Sequence, residues 1–410
     1  MKKVIFLVDM QSFFASVEKA KHYKNLDQPL VVSGDPKRRS GVILAACPLA
    51  KKSGIKNGER LWEAQQKCPH LVVVPPTMQE YIDSSLAITE ILERYTDIVE
   101  PYSIDEQFMD LTHSQKLFGD PYEIARQIQH DIQKQIRVRA RVGIGENKVL
   151  AKMACDNFAK KTKEGIFHLK KEELTHTLWP MPIENLFRAG TRMSHHLRMM
   201  AIRTIGELAQ TDVKKIKNRW GIHGQVLWMN ANGVDYSPVS TSSTNSQKAI
   251  GHGMTLPSDY HKKEDIKVVL LELCEEVCLR ARSSHVMGQT ITLSMSGASY
   301  DHPTGFHRQL TMMEPTNVTT SVFHYACELL ETFWDTFPIR RLGVSLSSLT
   351  SDQMVQLSLF DPDQEHRIQL GYTMDEINVK YGKTSIRRAS ALLQASQSDE
   401  RAAKIGGHYK

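Results

Sequence analysis

The chain lacks what would tie it to the cell exterior or to a membrane. Its six cysteines, at 47, 68, 155, 274, 278 and 327, include no Cys-x-x-Cys pair. That excludes a disulfide scaffold and offers no structural-zinc spacing, so buried thiols in a reducing compartment are expected. Glycine (23) and proline (16) are too few in 410 residues for a collagen-like or low-complexity chain. The longest apolar runs, such as Val4–Val8 and Val268–Leu271, fall far short of the roughly 18 residues of a membrane span. Met1-Lys2-Lys3 and the apolar run after it imitate the start of an export signal, but Asp9 closes that run at once. No membrane contact and no export are expected, and the chain reads as cytoplasmic.

What is present is ordinary for a globular chain: 41% hydrophobic and 24% charged residues. The length predicts two to four domains. The net charge of +6 is mild, but eighteen Lys and Arg stand against nine Asp and Glu between Arg137 and Asp235. Such a segment attracts a polyanion; a solvated basic surface is the bland alternative.

Val4–Asp9 predicts a short buried strand ended by an acid. Ser12 caps a helix with Phe13, Phe14 and Val17 on one face. Strands follow at Leu30–Ser33 and Gly41–Ala46, joined by the polar turn Gly34–Arg39, then at Val72–Val74, stopped by Pro75-Pro76. Helices at Thr77–Tyr95, Tyr122–Gln135 and Lys148–Phe158 alternate with strands at Asp97–Glu100, Gln107–Leu111 and Arg139–Ile144. This is an α+β core of the split-βαβ kind. The chain is mostly helical from Gly165 to Val234, and Ser240–Ser246 is a linker. A second α+β unit has helices at Glu264–Arg282 and Ser321–Phe333 and strands at Gln289–Met295 and Leu342–Ser348. The tail from Ser351 is polar, with a short basic amphipathic helix expected over Thr384–Leu393 and a solvated course as the default.

Asp9 ends one strand, and Asp105-Glu106 sits at a tight turn between two others. In a split-βαβ sheet these three acids can share one edge. Three acids without a basic partner call for a cation, and Mg²⁺ suits carboxylate oxygens and substrate phosphates. Solvated surface acids are the competing reading.

Val8-Asp9-Met10-Gln11-Ser12-Phe13-Phe14-Ala15-Ser16-Val17-Glu18 resembles the opening motif of Y-family translesion DNA polymerases. Ser103–Asp110 resembles their second acidic motif and Gly143–Ala154 their third, while Ile202–Leu208 and Lys248–Gly253 resemble the end of their helix-hairpin-helix and the start of their little finger. Within the family the chain looks most like the UmuC-like ultraviolet-damage repair proteins of Gram-positive bacteria. The resemblance implies a right-hand architecture: palm (residues 1–20 and 76–165) with a split-βαβ sheet, small fingers (21–75), helical helix-hairpin-helix thumb (166–236), linker (237–247), α+β little finger (248–351) and tail (352–410).

It further implies low-fidelity, distributive, template-directed DNA synthesis past damaged bases in DNA repair and the SOS response. Asp9, Asp105, Glu106 and the Met10 carbonyl would hold two Mg²⁺ ions. Phe14 falls at the family's steric gate, with Phe13 beside it; Lys51 and Lys160 would bind the triphosphate. The fingers depart from the family pattern, with Pro48 in place of a Tyr and Lys51 in place of an Arg, which removes a bidentate phosphate contact. Gly190, Arg192, Arg203 and Gly206 would grip DNA in the thumb, where Ala189-Gly190-Thr191 replaces the family's Gly-Ile-Gly. Gln356-Leu357-Ser358-Leu359-Phe360 resembles the bacterial sliding-clamp binding motif, with Gln356, Leu357, Leu359 and Phe360 as the contacts. Primer-template DNA, dNTPs, the clamp and, as for UmuC-like relatives, an activating recombinase or accessory subunit are the implied partners. Two other readings stay open: a different two-metal phosphoryl-transfer enzyme on a similar palm, and a clamp- and DNA-bound accessory protein with weak or no polymerase activity.

Overall fold

The computed structural model describes residues 2–21, 27–34, 41–241, 247–299, 301–357, 360–405 and 408–409. The expected turn at Gly34–Arg39 and linker at Ser240–Ser246 fall largely outside these residues. The chain forms two compact units that meet in sequence at Thr244 and Asn245.

The first unit is built on a five-stranded sheet of order β5-β6-β1-β7-β8. Its strands are β1 (Ile5–Met10), β5 (Val99–Pro101), β6 (Glu106–Asp110), β7 (Ala140–Gly145) and β8 (Ile166–His168). β1 is central and pairs antiparallel with β6 and β7. Both its faces are covered, so its sequence is a continuous apolar run rather than an alternating one. Phe6, Val8 and Met10 join the large core; Ile5 and Leu7 pack with Phe108, Ala151 and Cys155 on the other face. A fully buried side chain such as Phe6 or Leu7 contributes about 1.5–3 kcal/mol.

The Lys148–Asn157 helix lies unusually close to this sheet, and two glycines of β7 permit it. A Cβ on Gly143 would stand 2.1 Å from the Ala151 carbonyl oxygen, and one on Gly145 would stand 2.6 Å from the Ala151 nitrogen. Asn147 caps the helix, its side chain accepting from the Leu150 N–H at 2.9 Å. A smaller sheet of order β3-β2-β4 (Ile43–Ala46, Leu30–Ser33, Val72–Val74) packs into the same core, as do the Met78–Leu92 and Pro121–Ile136 helices. The rest of this unit is helical, with Thr191–Met199, Ile205–Gln210 and Val213–Ala231 around their own core.

The second unit carries a four-stranded antiparallel sheet of order β11-β10-β12-β9, covered by the Lys263–Ser283 and Thr319–Phe333 helices. β10 (Val286–Ser296) and β12 (Ile339–Ser351) match the two expected strands. Sequence reasoning had missed β9 (Ala249–Tyr260) as a full strand and β11 (Gly305–Thr316) altogether, because one face of each is exposed and their residues are largely polar. The tail also corrects its expectation. Its long helix is Gln364–Tyr381, whereas Thr384–Leu393 holds only a 3₁₀ turn at Ala389–Leu392. The tail is not merely solvated, since it packs back onto the Lys263–Ser283 helix.

Candidate active site

The sheet register builds the site. Asp9 is the cross-strand partner of Glu106 on one side and of Arg141 on the other. Directly opposed residues of an antiparallel pair share a face, so two carboxylates and a guanidinium converge where β1 ends. The Met10 N–H donates to the Asp105 carbonyl at 2.9 Å and closes this edge. The Lys148–Asn157 helix, seated on its glycines, brings Lys152 and Asp156 to the same place, and the turn after it brings Lys160.

A charge network results. Lys152 Nζ lies 2.6 Å from Glu106 Oε1 and 3.1 Å from an Asp156 oxygen. Lys160 Nζ lies 2.8 Å from Asp9 and 2.8 Å from Asp156. Oxygens of Asp9, Glu106 and Asp156 all fall within 4.8 Å of one another. Burial pushes the Asp9 carboxyl up to about 7, assisted by its hydrogen bond with Glu106 and opposed by Lys160. Burial also pushes Glu106 up, but the Asp9 hydrogen bond and the two lysines outweigh it and hold Glu106 below its ordinary value. Lys160 is raised because Asp9 and Asp156 together overcome the penalty of its own burial. The three acids therefore have basic partners, contrary to the expectation from sequence, and burial is the largest cause of the raised Asp9 carboxyl. An all-carboxylate donor set fits a hard divalent cation such as Mg²⁺.

The site opens into a cleft of about 1050 Å³, lined by Asp9–Phe14, Leu44, Ala45, Lys51, Asn57, Asp105, Glu106, Arg141 and Lys160. Asp105 lines it, but its carboxylate accepts from Ser103 Oγ at 2.7 Å and stands outside the acid cluster. Phe14 is half-buried in the cleft wall, its ring stacked on Tyr81 with centroids 4.3 Å apart. Phe13 also lines the cleft, but it is only 3% exposed and most of its side chain packs into the core. Lys51 Nζ bonds Ser12 Oγ at 2.9 Å across the cleft. Sequence reasoning missed Lys152, Asp156 and Arg141. The first two follow Gly143–Gly145 at helical spacing, one turn apart, and the register opposite Asp9 marks the third.

Among the helical residues, Gly190 caps the Thr191–Met199 helix, is exposed, and has nothing near where a Cβ would stand. Arg192 and Arg203 are exposed. The left-handed residue of the turn is Arg188 (φ 71°), so Arg188 rather than Ala189 takes the place of the missing glycine. Gly206 is buried: its N–H donates to the Trp179 carbonyl at 3.0 Å, and a Cβ would meet Trp179 at 2.8 Å. It packs a helix, and its amide is not offered to phosphate. In the second unit Gln356 is exposed, Leu357 is 42% exposed and Phe360 97% exposed; Leu359 lies outside the described residues.

Comparison with known proteins gives concordant results. Residues 8–156 match the impB/mucB/samB family and residues 247–359 the impB/mucB/samB family C-terminal domain. The chain is 61% identical to DNA polymerase IV 2 of Halalkalibacterium halodurans, covering 100% of both chains. It is 37% identical to UvrX of Bacillus subtilis, a protein named for UV-damage repair, over 99% of this chain and 98% of that one. A solved Y-family DNA polymerase chimera of Dbh and Dpo4 shares the fold with a TM-score of 0.71 and 24% identity, covering 85% of this chain and 99% of the other. Acids at the end of a central strand, a phenylalanine-walled cleft beside them and full-length identity to such relatives together make this chain a member of the impB/mucB/samB family, with the fold of a Y-family DNA polymerase.

Proposed function

We propose that the protein is a template-directed DNA polymerase that adds deoxynucleotides opposite damaged bases, with pyrophosphate as the leaving group. The observation that carries this reading is the Asp9–Glu106 pair, set opposite each other by the strand register at the head of an open cleft. The fold class and the 61% identical relative named DNA polymerase IV 2 support it. We assign residues 1–20 and 76–165 to the palm, 21–75 to the fingers, 166–236 to the thumb and 248–351 to the little finger.

Asp9, Glu106, Asp105 and the Met10 carbonyl would hold two Mg²⁺ ions. Bound there, the ions supply Lewis-acid activation of the primer 3′-hydroxyl and stabilise the leaving phosphate oxygen. The protein's own contribution is positional. Lys152 fixes Glu106 in its ionised form. Asp156 keeps Lys160 beside the cluster, from where it can neutralise triphosphate. Lys51 adds a second cation from the facing side of the cleft. The Phe14 ring, backed by Tyr81, would lie under the incoming sugar and exclude a ribose 2′-hydroxyl. Arg192, Arg203 and the open Gly190 turn would meet the DNA backbone without reading sequence. Residues 356–360 would seat Leu357, Leu359 and Phe360 in an apolar pocket of the sliding clamp. The protein would then work in the cytoplasm at the nucleoid, in the SOS response, with an activating subunit as a further partner.

The intact cluster argues against an accessory protein that has lost its chemistry. Primer extension on undamaged and lesion-bearing templates, with Mg²⁺ and all four dNTPs, tests the reading against Asp105→Ala/Glu106→Ala. Extension past the lesion by the wild type alone is expected. No extension by either protein, with DNA binding intact, would instead favour the accessory reading.

A further inference from the structure

The charge network around Asp9 leaves one cation out. Arg141 is 6% exposed, lines the cleft and stands directly opposite Asp9 on β7, so both side chains rise from the same face of the sheet. Lys152 and Lys160 each pair with carboxylates, and Lys160 takes Asp9 at 2.8 Å. Arg141 makes no ion pair among the described residues. Its partners are all neutral. One guanidinium nitrogen, Nη1, donates to the Thr162 carbonyl at 3.2 Å. The other, Nη2, donates to Gln11 Oε1 at a long 3.4 Å. The buried Nε has no partner among the described residues. A guanidinium keeps its charge at any physiological pH, so this one cannot escape burial by losing a proton.

The surrounding backbone is shaped to hold it there. Gly165 is left-handed (φ 75°), and a Cβ on it would stand 2.3 Å from Arg141 Nη1 and 2.7 Å from Arg141 Cδ. Gln129 fixes that glycine, its Nε2 donating to the Gly165 carbonyl at 3.2 Å and to the Ala140 carbonyl at 3.0 Å. The Val142 N–H donates to the same Gly165 carbonyl at 2.8 Å. Gln11 completes the arrangement: an amide oxygen orients a guanidinium without cancelling its charge, as a carboxylate would. A buried cation with neutral partners alone is costly, and an anion of matching geometry offsets that cost. Arg141 is also the one arginine among the residues that line the cleft. The facing side offers Lys51, a point charge already bonded to Ser12.

We propose that Arg141 is a triphosphate-binding residue that meets the β- and γ-phosphate oxygens of the incoming nucleotide from β7, with Gln11 setting the plane of its guanidinium and Gly165 giving it room. The proposal rests on the polymerase reading given above. It supplies from the central sheet the forked donor, able to hold two oxygens at once, that Lys51 cannot be. The Nη2 end, held only by the long bond to Gln11, is the end that turns to phosphate.

The test is isothermal titration calorimetry of the full chain with inorganic tripolyphosphate at fixed Mg²⁺, a probe that carries the phosphates without base or sugar and needs no polymerase activity. Arg141→Gln is expected to weaken tripolyphosphate binding about ten- to a hundredfold, as loss of a charge-assisted contact does. Its Mg²⁺ binding, titrated without phosphate, should be undiminished. In single-nucleotide insertion its KM for dNTP should rise by the same factor while kcat stays within about threefold, the pattern of a lost binding contact. Arg141→Lys keeps the charge and loses the fork, so about a tenfold loss should remain; this variant decides the matter should Arg141→Gln fail to fold. Wild-type tripolyphosphate affinity in either folded variant would overturn the proposal. So would a loss of Mg²⁺ binding in parallel, which marks an arginine that only holds the sheet together. Failure of the wild type to extend a primer would count against the polymerase reading instead, and leaves the tripolyphosphate result to stand by itself.

Discussion

Glu106 owes its ionised state to Lys152 as well as to solvent. The lysine is 8% exposed and donates at 2.6 Å, so its removal leaves a half-buried carboxylate beside Asp9 with one counter-charge fewer. Lys152→Met is expected to weaken cation binding about ten- to a hundredfold, as loss of an outer-sphere partner does. Mg²⁺ titration of primer extension, with isothermal titration calorimetry of cation binding, would show it. Phe14 makes a different prediction. Phe14→Val empties the cleft wall in front of Tyr81, and ribonucleotide incorporation relative to deoxyribonucleotide should rise by about a hundredfold. Single-nucleotide insertion kinetics with rNTP and dNTP would measure that ratio, and an unchanged ratio would remove Phe14 from the sugar-facing role. Asp9 and Glu106 were legible in the sequence because acids at strand ends can share one sheet edge, and Phe14 was legible only through the resemblance of residues 8–18 to a known family motif. Lys152 and Asp156 were not, because their meaning lies in how close one helix comes to one sheet.

That approach is an element-scale property, set by Gly143 and Gly145. Gly143→Ala would place a methyl against the Ala151 carbonyl and the Cys155 nitrogen. Backbone cannot swing aside as a side chain can, so the helix must lift. A loss of about 1–3 kcal/mol is expected, with reduced extension because Lys152, Asp156 and Lys160 travel with the helix. Thermal denaturation read beside extension rates checks both, and an unshifted melting temperature would contradict the packing argument. The strands of the first sheet were readable because their apolar runs are continuous. The Gln364–Tyr381 helix was unreadable for the opposite reason. Ile368, Leu370, Tyr372 and Met374 alternate at strand spacing, and the helix buries none of its residues. It is held by polar side chains, and hydrophobic periodicity carries no trace of them.

On the scale of the whole molecule, the eighteen basic residues between Arg137 and Asp235 do not share one task. Lys152 and Lys160 are spent on the acid cluster, whereas Arg192 and Arg203 are exposed. The second group is the one we propose for DNA binding. Arg192→Ala and Arg203→Ala are each expected to weaken primer-template affinity uniformly across sequences and to flatten its logarithmic salt dependence by about one. Fluorescence anisotropy over a salt series would report the slope, and an unchanged slope would place the arginine off the DNA. Charge counting found the basic region but could not divide it, because burial beside an acid is a matter of fold.

The returning tail also alters what a broken peptide bond would do. In a chain whose last segment hangs free, one protease cut sheds everything beyond it. Here the far side of a cut within residues 353–357 would still be held by the Arg282–Asp375 pair, by Tyr372 and by the contacts of residues 388–401. Limited digestion would then yield two fragments that travel together on a sizing column and part only in denaturant. The nicked protein would keep its tail.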